Sequence, residues 1–234
     1  MIALQAGIGA TNDAVDAPTD RGLKPGKPIP AGLVSVALAR VVAVMAFAAG
    51  IALAAPSGPP AVALSAVVIG IGLAYDLRLK GTPWSWLPFA IGIPLLPVYG
   101  WLGATGTLAP FFLVLVPVAA VAGGALAIAN ALVDHERDHA AGIQSVVTRL
   151  GPDRAWMIHA GLLALVGAAA AVSARLMGGS VVAAAIVALV ALVPLAGAAF
   201  ARTGDPARRE RGWELEAVGL GLLAIAWLAG PALG

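Results

Sequence analysis

The chain has 234 residues, 60% apolar and only 11% charged, with a formal net charge of +2 and a mean hydropathy of +0.94. A water-soluble domain of this length carries more charge and shorter apolar runs, which excludes that class. The absence of cysteine removes disulfide and thiol chemistry, and basic residues that flank apolar runs set topology rather than bind nucleic acid.

In chain order, Met1–Ala10 is apolar but too short to span a bilayer, and it lacks the basic leader of a cleaved signal. A polar stretch, Asn12 to Arg21, and a Lys/Pro-rich stretch, 23–32, follow. Apolar runs of close to bilayer length, about 20 residues, then fall near 34–55, 60–76, 84–103, 108–131, 154–174, 180–201 and 213–233. They are rich in Ala, Val, Leu and Gly and lack the alternation of a barrel strand, so seven transmembrane helices in an all-α bundle are expected. Pro88, Pro94 and Pro97 predict a kink in the third run, and Gly123-Gly124 predicts close helix packing. Trp84, Trp86, Trp101, Trp213 and Trp227 lie near run ends, where interfacial aromatics are expected.

Numbering the connections alternately puts Arg21, Lys24, Lys27, Arg78, Lys80, Arg137, Arg149, Arg154, Arg202, Arg208, Arg209 and Arg211 on one side. Arg175 alone falls opposite, and Arg40 lies within the first run. The positive-inside rule makes the rich side cytoplasmic, which places the chain in the cell (inner) membrane.

Two loops on that side stand apart. Asn12, Asp16 and Asp20 form an N-x3-D-x3-D row, and Asn130, Asp134 and Asp138 repeat it. On a helix such positions share one face, so each segment presents an amide and two carboxylates in line. Facing rows of this kind are hard-oxygen ligands suited to Mg²⁺, which keeps waters and bridges to phosphates. Bound metal turns a carboxylate row that repels diphosphate into one that attracts it. The plainer reading, solvated helix ends, explains one row better than it explains two. Lys27, Arg21, Arg78 and Lys80 are candidate contacts for phosphate oxygens, although topology alone also accounts for Arg78 and Lys80.

These residues resemble the UbiA family of intramembrane prenyltransferases. Asn12-Asp13-x-x-Asp16-x-x-x-Asp20 with the Lys-Pro-x-Lys-Pro-Ile-Pro-x-Gly stretch is similar to its first signature, and Asp134-x-x-x-Asp138 to its second. Tyr75 through Lys80 is similar to its Tyr-to-Lys element. The resemblance implies a ring of nine helices around a central cavity, with both rows at its cytoplasmic mouth. It implies Mg²⁺ on Asn12, Asp16, Asp20, Asp134 and Asp138, and diphosphate contacts from Lys27, Arg78, Lys80 and Arg21. Catalytic roles fall on Asp138, as base for the acceptor proton, with Lys80 and Tyr75 beside it. The partners implied are a prenyl diphosphate and a small acceptor in membrane lipid, with an aromatic quinone precursor as the default acceptor. Tetrapyrrole, sugar-phosphate and lipid-glycerol acceptors stay open.

The sequence departs from the family in three ways. Lys27 stands where Arg is usual, Ala131 where many members carry Asp, and only seven of nine spans are expected. Met1–Thr11 resembles the tail of the family's second helix, so an N-terminally shortened single domain over 1–234 is expected. Its parts are 1–33 (helix end and first Asp-rich loop), 34–129 (spans), 130–153 (second loop) and 154–234 (spans). Two other classes compete. His135-Glu136-Arg137-Asp138-His139 matches H-E-x-x-H, the zinc metalloprotease pattern, but with charged residues inside it and no evident third ligand. A transporter would place charges at mid-membrane, whereas here they cluster at run ends.

Overall fold

The computed structural model describes residues 1–22, 24–202 and 205–230, and among them the regular structure is entirely helical. Seven helical segments are long and apolar enough to cross a membrane: Val36–Ser57, Pro59–Leu79, Leu87–Thr105, Phe112–Val133, Pro152–Leu176, Val181–Ala201 and Pro206–Ala229. Large apolar side chains such as Met45, Leu113, Leu165, Leu176 and Val182 are exposed along them, which is costly in water and expected against lipid. The chain is a multi-pass membrane protein. Six of the seven expected runs agree with these spans to within a few residues. The seventh begins at Pro206 rather than near 213, because Asp205 accepts a hydrogen bond from the Arg208 N–H at 2.9 Å and Pro206 occupies the first turn. Its expected last residues, 231–233, lie outside the described residues.

The chain divides into two compact units, Met1–Lys80 with Leu95–Pro110, and Gly81–Pro94 with Phe111–Gly234. The first unit contains α1 (Ile2–Asp20), α2 (Val36–Ala54), α3 (Pro59–Ala74) and the second part of α4 (Leu87–Thr105). Small residues let α1 lie tightly on its neighbours. A Cβ at Gly50 would come within 2.3 Å of the fully buried Leu4, and one at Gly72 within 2.6 Å of Ile8. The N-terminal turns of α1 are thereby clamped on α2 and α3, which fixes the end that carries Asn12 to Asp20.

The second unit holds the start of α4, then α5 (Phe112–Val133), α6 (His135–Ala140), α7 (Val146–Leu150), α8 (Pro152–Leu176), α9 (Val181–Val190), α10 (Leu192–Ala201) and α11 (Pro206–Ala229). Residues Ala122–Ala129 of α5 are buried. The sixth span is interrupted at Ala191, since Pro194 has no N–H to offer the Val190 carbonyl. Trp227 corrects the interfacial expectation: it is 6% exposed, and its Nε1 donates to Ser173 Oγ at 2.8 Å, tying α11 to α8.

Candidate functional site

The first row lies on a helix rather than in a loop. α1 continues to Asp20, so Asn12, Asp16 and Asp20 stand one turn apart along it, with both Asp side chains buried. The chain then turns at Gly22 (φ +81°), and backbone bonds from the Lys24 N–H to the Asp20 carbonyl (3.0 Å) and from the Lys27 N–H to the Lys24 carbonyl (3.1 Å) coil it back. That return brings Lys27 Nζ to 3.0 Å from Asp13, 3.6 Å from Asp16 and 2.8 Å from Asp20. Lys24 Nζ lies 3.6 Å from Asp20.

The end of the second span supplies the other wall. Tyr75–Leu79 forms a π-helical turn, closed by the Lys80 N–H donating to the Tyr75 carbonyl at 2.9 Å. Such turns insert one residue into the helix and recur at functional sites. Here the turn serves two partners on α1: Lys80 Nζ pairs with Asp16, and Asp76 Oδ1 accepts from Asn12 Nδ2 at 2.9 Å. Asp76, 5% exposed, is a site residue that sequence reasoning passed over. An acid at the end of an apolar run was the available signal. The structure thus joins Asn12, Asp16, Asp20, Lys27 and Lys80, adding Asp13, Lys24 and Asp76. Arg21 and Arg78 are exposed, and no ion pair to either is found among the described residues.

Burial pushes the Asp20 carboxyl up, but the Lys27 hydrogen bond and the charges of Lys24, Lys27 and Lys80 outweigh it and hold the group below its ordinary value. Burial likewise pulls Lys27 down, while Asp20 and Asp13 win and raise it. The signs give opposite pH limits. Asp20 contributes stability above its unfolded value of 3.8 and loses it as pH falls through the lowered folded value. Lys27 contributes below 10.5 and loses it as pH rises through its raised value. Lys27→Met is therefore expected to move the acid limb of thermal stability to higher pH, measured by unfolding of the detergent-purified protein across a pH series. An acid limb identical to that of the unmodified protein would remove Lys27 from this role.

In the second unit the row is broken. α5 ends at Val133, Asp134 takes φ −92°, ψ 2°, and α6 restarts at His135. This corrects the expected single helical face through Asp138. The Asp138 N–H still bonds the Asp134 carbonyl at 2.9 Å, so one turn of spacing survives. Asp134 pairs with Arg137, and Glu136 with Arg209, whose hydrogen bond lowers the Glu136 carboxyl below its ordinary value. The His135 and His139 rings lie 6.2 Å apart at 66°.

Among the described residues no three His, Cys, Asp or Glu side chains converge as a ready-made metal cage. That removes support from a zinc reading of His135 and His139, because structural and catalytic zinc sites rest on three or four protein ligands. Mg²⁺ asks for less: one or two carboxylates, waters and phosphate oxygens. The first row meets that requirement in its chemistry. Asp16 and Asp20 are hard-oxygen donors, Asp20 Oδ2 with Lys27 Nζ at 2.8 Å, and the buried Asp76 Oδ2 has no hydrogen-bond partner among the described residues.

The sequence profile of the UbiA prenyltransferase family matches residues 1–229. The chain belongs to that family. Two digeranylgeranylglyceryl phosphate synthases resemble part of it: that of Methanopyrus kandleri is 40% identical over 78 residues, and that of Methanoculleus marisnigri 39% over 80. These stretches cover 33% and 34% of this chain and only 29% of each relative. Among solved structures, the apo UbiA homologue from Aeropyrum pernix K1 superposes with a TM-score of 0.77 at 21% identity, over 97% of this chain and 86% of that one. The Archaeoglobus fulgidus homologue bound to GPP and Mg²⁺ gives 0.70 at 21% identity, over 97% and 84%. At these identities the likeness establishes the UbiA fold.

Proposed function

We propose that this member of the UbiA family transfers a prenyl group from a prenyl diphosphate to the free hydroxyl of a prenylated glyceryl phosphate, with Mg²⁺ as cofactor. The observation that carries the reading is the row Asn12, Asp16 and Asp20, whose two carboxylates are buried and reached by Lys27 and Lys80. The glyceryl phosphate acceptor, in place of the aromatic default, is supported by the names of the two relatives near 40% identity.

Asp16 and Asp20 would hold the metal, and Lys27 and Lys80 the non-bridging diphosphate oxygens; Asp134 and Asp138 of the second row are proposed metal donors on the sequence resemblance. Bound Mg²⁺ supplies neutralisation of the leaving diphosphate. The allylic C–O bond breaks with its electron pair leaving on diphosphate, and positive charge develops on the prenyl carbon. The acceptor oxygen then forms the new C–O bond and gives up its proton, for which Asp138 is the proposed base, with Tyr75 proposed as an orienting group. Lys27 and Lys80 neutralise the row and keep its buried carboxylates tolerable. The rows face the cytoplasm in this reading, as the basic connections imply.

The test is transfer of radiolabelled prenyl groups by membranes expressing the chain, with and without Mg²⁺, offering prenylated glyceryl phosphate, an aromatic acid or a tetrapyrrole. A labelled ether lipid that disappears on metal chelation is expected. An aromatic product instead would restore the default acceptor. No product from any acceptor, with the protein folded, would remove the reading.

A further inference from the structure

The second unit carries another concentration of polar groups that prenyl transfer leaves unused. Residues of α5, α8, α10 and α11 line a cavity of about 60 Å³, with Trp156, Trp213, His159 and Glu216 among its walls. His159 and Glu216 are each 1% exposed, inside spans otherwise built from Ala, Val and Leu. Among the described residues, seven buried side-chain atoms lack a hydrogen-bond partner, and five of them belong to residues that line this cavity: His135 Nδ1, His159 Nε2, Arg209 Nε, Trp213 Nε1 and Glu216 Oε2. Buried polar atoms are almost always satisfied. Five orphans around one space therefore point to a ligand there.

Their chemistry narrows the ligand. His159 Nδ1 lies 3.0 Å from the Ala125 carbonyl, which can only accept, so Nδ1 carries a hydrogen. Nε2 lies 3.1 Å from Glu216 Oε2 without hydrogen-bond alignment, so each atom keeps capacity for a further partner. The Trp213 and Arg209 N–H groups are donors, Glu216 offers an acceptor, and the histidines offer either. The lining carries two bases, Arg202 and Arg209, and two acids, Asp153 and Glu216, and Arg209 is already paired with Glu136, so it does not single out an anion. Hydroxyl groups, each donor and acceptor at once, answer this mixed set. Two indole rings suit the C–H face of a small polyol, and the Arg202 guanidinium, 4.5 Å over the Trp156 ring, steadies one of them. The volume exceeds the ~10–15 Å³ that one water needs.

We infer that this cavity is a binding site for a glyceryl group, supplied either by a phosphatidylglycerol headgroup or by free glycerol. Native mass spectrometry of the full chain in detergent tests it, with phosphatidylglycerol, phosphatidylcholine and glycerol as probes. Phosphatidylglycerol is expected to be retained about tenfold better than phosphatidylcholine. Trp213→Phe, which keeps an aromatic ring and removes the indole N–H donor, should weaken retention about five- to tenfold, with Glu216→Gln as the second variant. Glycerol that competes shows hydroxyl recognition, and glycerol binding without lipid preference assigns the free source. A phosphatidylglycerol preference surviving both variants places the lipid elsewhere and overturns the inference. Equal retention of both lipids with no effect of glycerol leaves the cavity to ordered water, and overturns it too.

Discussion

Replacing Asp16 by asparagine is expected to lower the rate of prenyl transfer by about 10²- to 10³-fold, the range seen when one group stabilising developing charge is removed. Asparagine keeps the volume of Asp16 and removes its charge. Asp16 is the member of the row that both lysines reach, Lys27 at 3.6 Å and Lys80 in closer contact. Without it a proposed metal donor is lost, and Lys80 also loses its partner. A metal-ligand role predicts more than slow turnover: the Mg²⁺ concentration for half-maximal activity should rise. A purely structural role would lower the yield of folded protein and leave that concentration unchanged. Asp76→Asn is the matched comparison, because it retains an oxygen to accept from Asn12 Nδ2. Its expected loss is nearer tenfold, consistent with a residue that orients Asn12. Activity of Asp16→Asn within threefold of the unmodified protein would remove Asp16 from the reaction.

How much of this was legible in the chain follows from which forces leave a pattern. The spans were, because burial in lipid demands about 20 consecutive apolar residues and little else imitates that. The start of α11 was not: Arg208, Arg209 and Glu210 lower the hydropathy, while the cap at Asp205 that begins the helix is one local hydrogen bond. The first row was legible because its i, i+4, i+8 spacing is helical, and α1 carries it as such. The second row shares the spacing, yet the helix breaks at Asp134. Spacing alone does not register one residue leaving the α region. The same blindness hid Asp76, since a π turn changes register by one residue without changing composition. His159 and Glu216 lie far apart in the chain on two different helices, and only tertiary packing makes them a pair.

That packing depends on α10 and α11 touching through backbone, which gives Gly212→Val a large expected effect on stability. A Cβ at Gly212 would come within 2.6 Å of Ala201 Cβ and 2.9 Å of the Gly197 carbonyl oxygen. The approach is reciprocal, since a Cβ at Gly197 would lie 2.8 Å from the Gly212 carbonyl oxygen and 2.9 Å from Glu216 Cγ. No rotamer change relieves a clash with a carbonyl, so the helices must separate. Close contact between small residues is a main source of helix association in lipid, where the hydrophobic effect no longer drives it. Overpacking of this kind costs about 1–3 kcal/mol, and contact with rigid backbone argues for the upper end. At roughly 2–4 °C per kcal/mol for a chain of this size, the unfolding temperature should fall by about 5–10 °C. The control is Gly221→Ala on the same helix, where a Cβ meets nothing within 4 Å. Alanine gains up to about 1 kcal/mol of helix propensity there, so that variant should melt at or above the unmodified protein. Both are read by thermal unfolding in one detergent. If Gly212→Val melts with Gly221→Ala, the close contact does not hold α10 to α11, and Glu216 owes its place beside His159 to other neighbours.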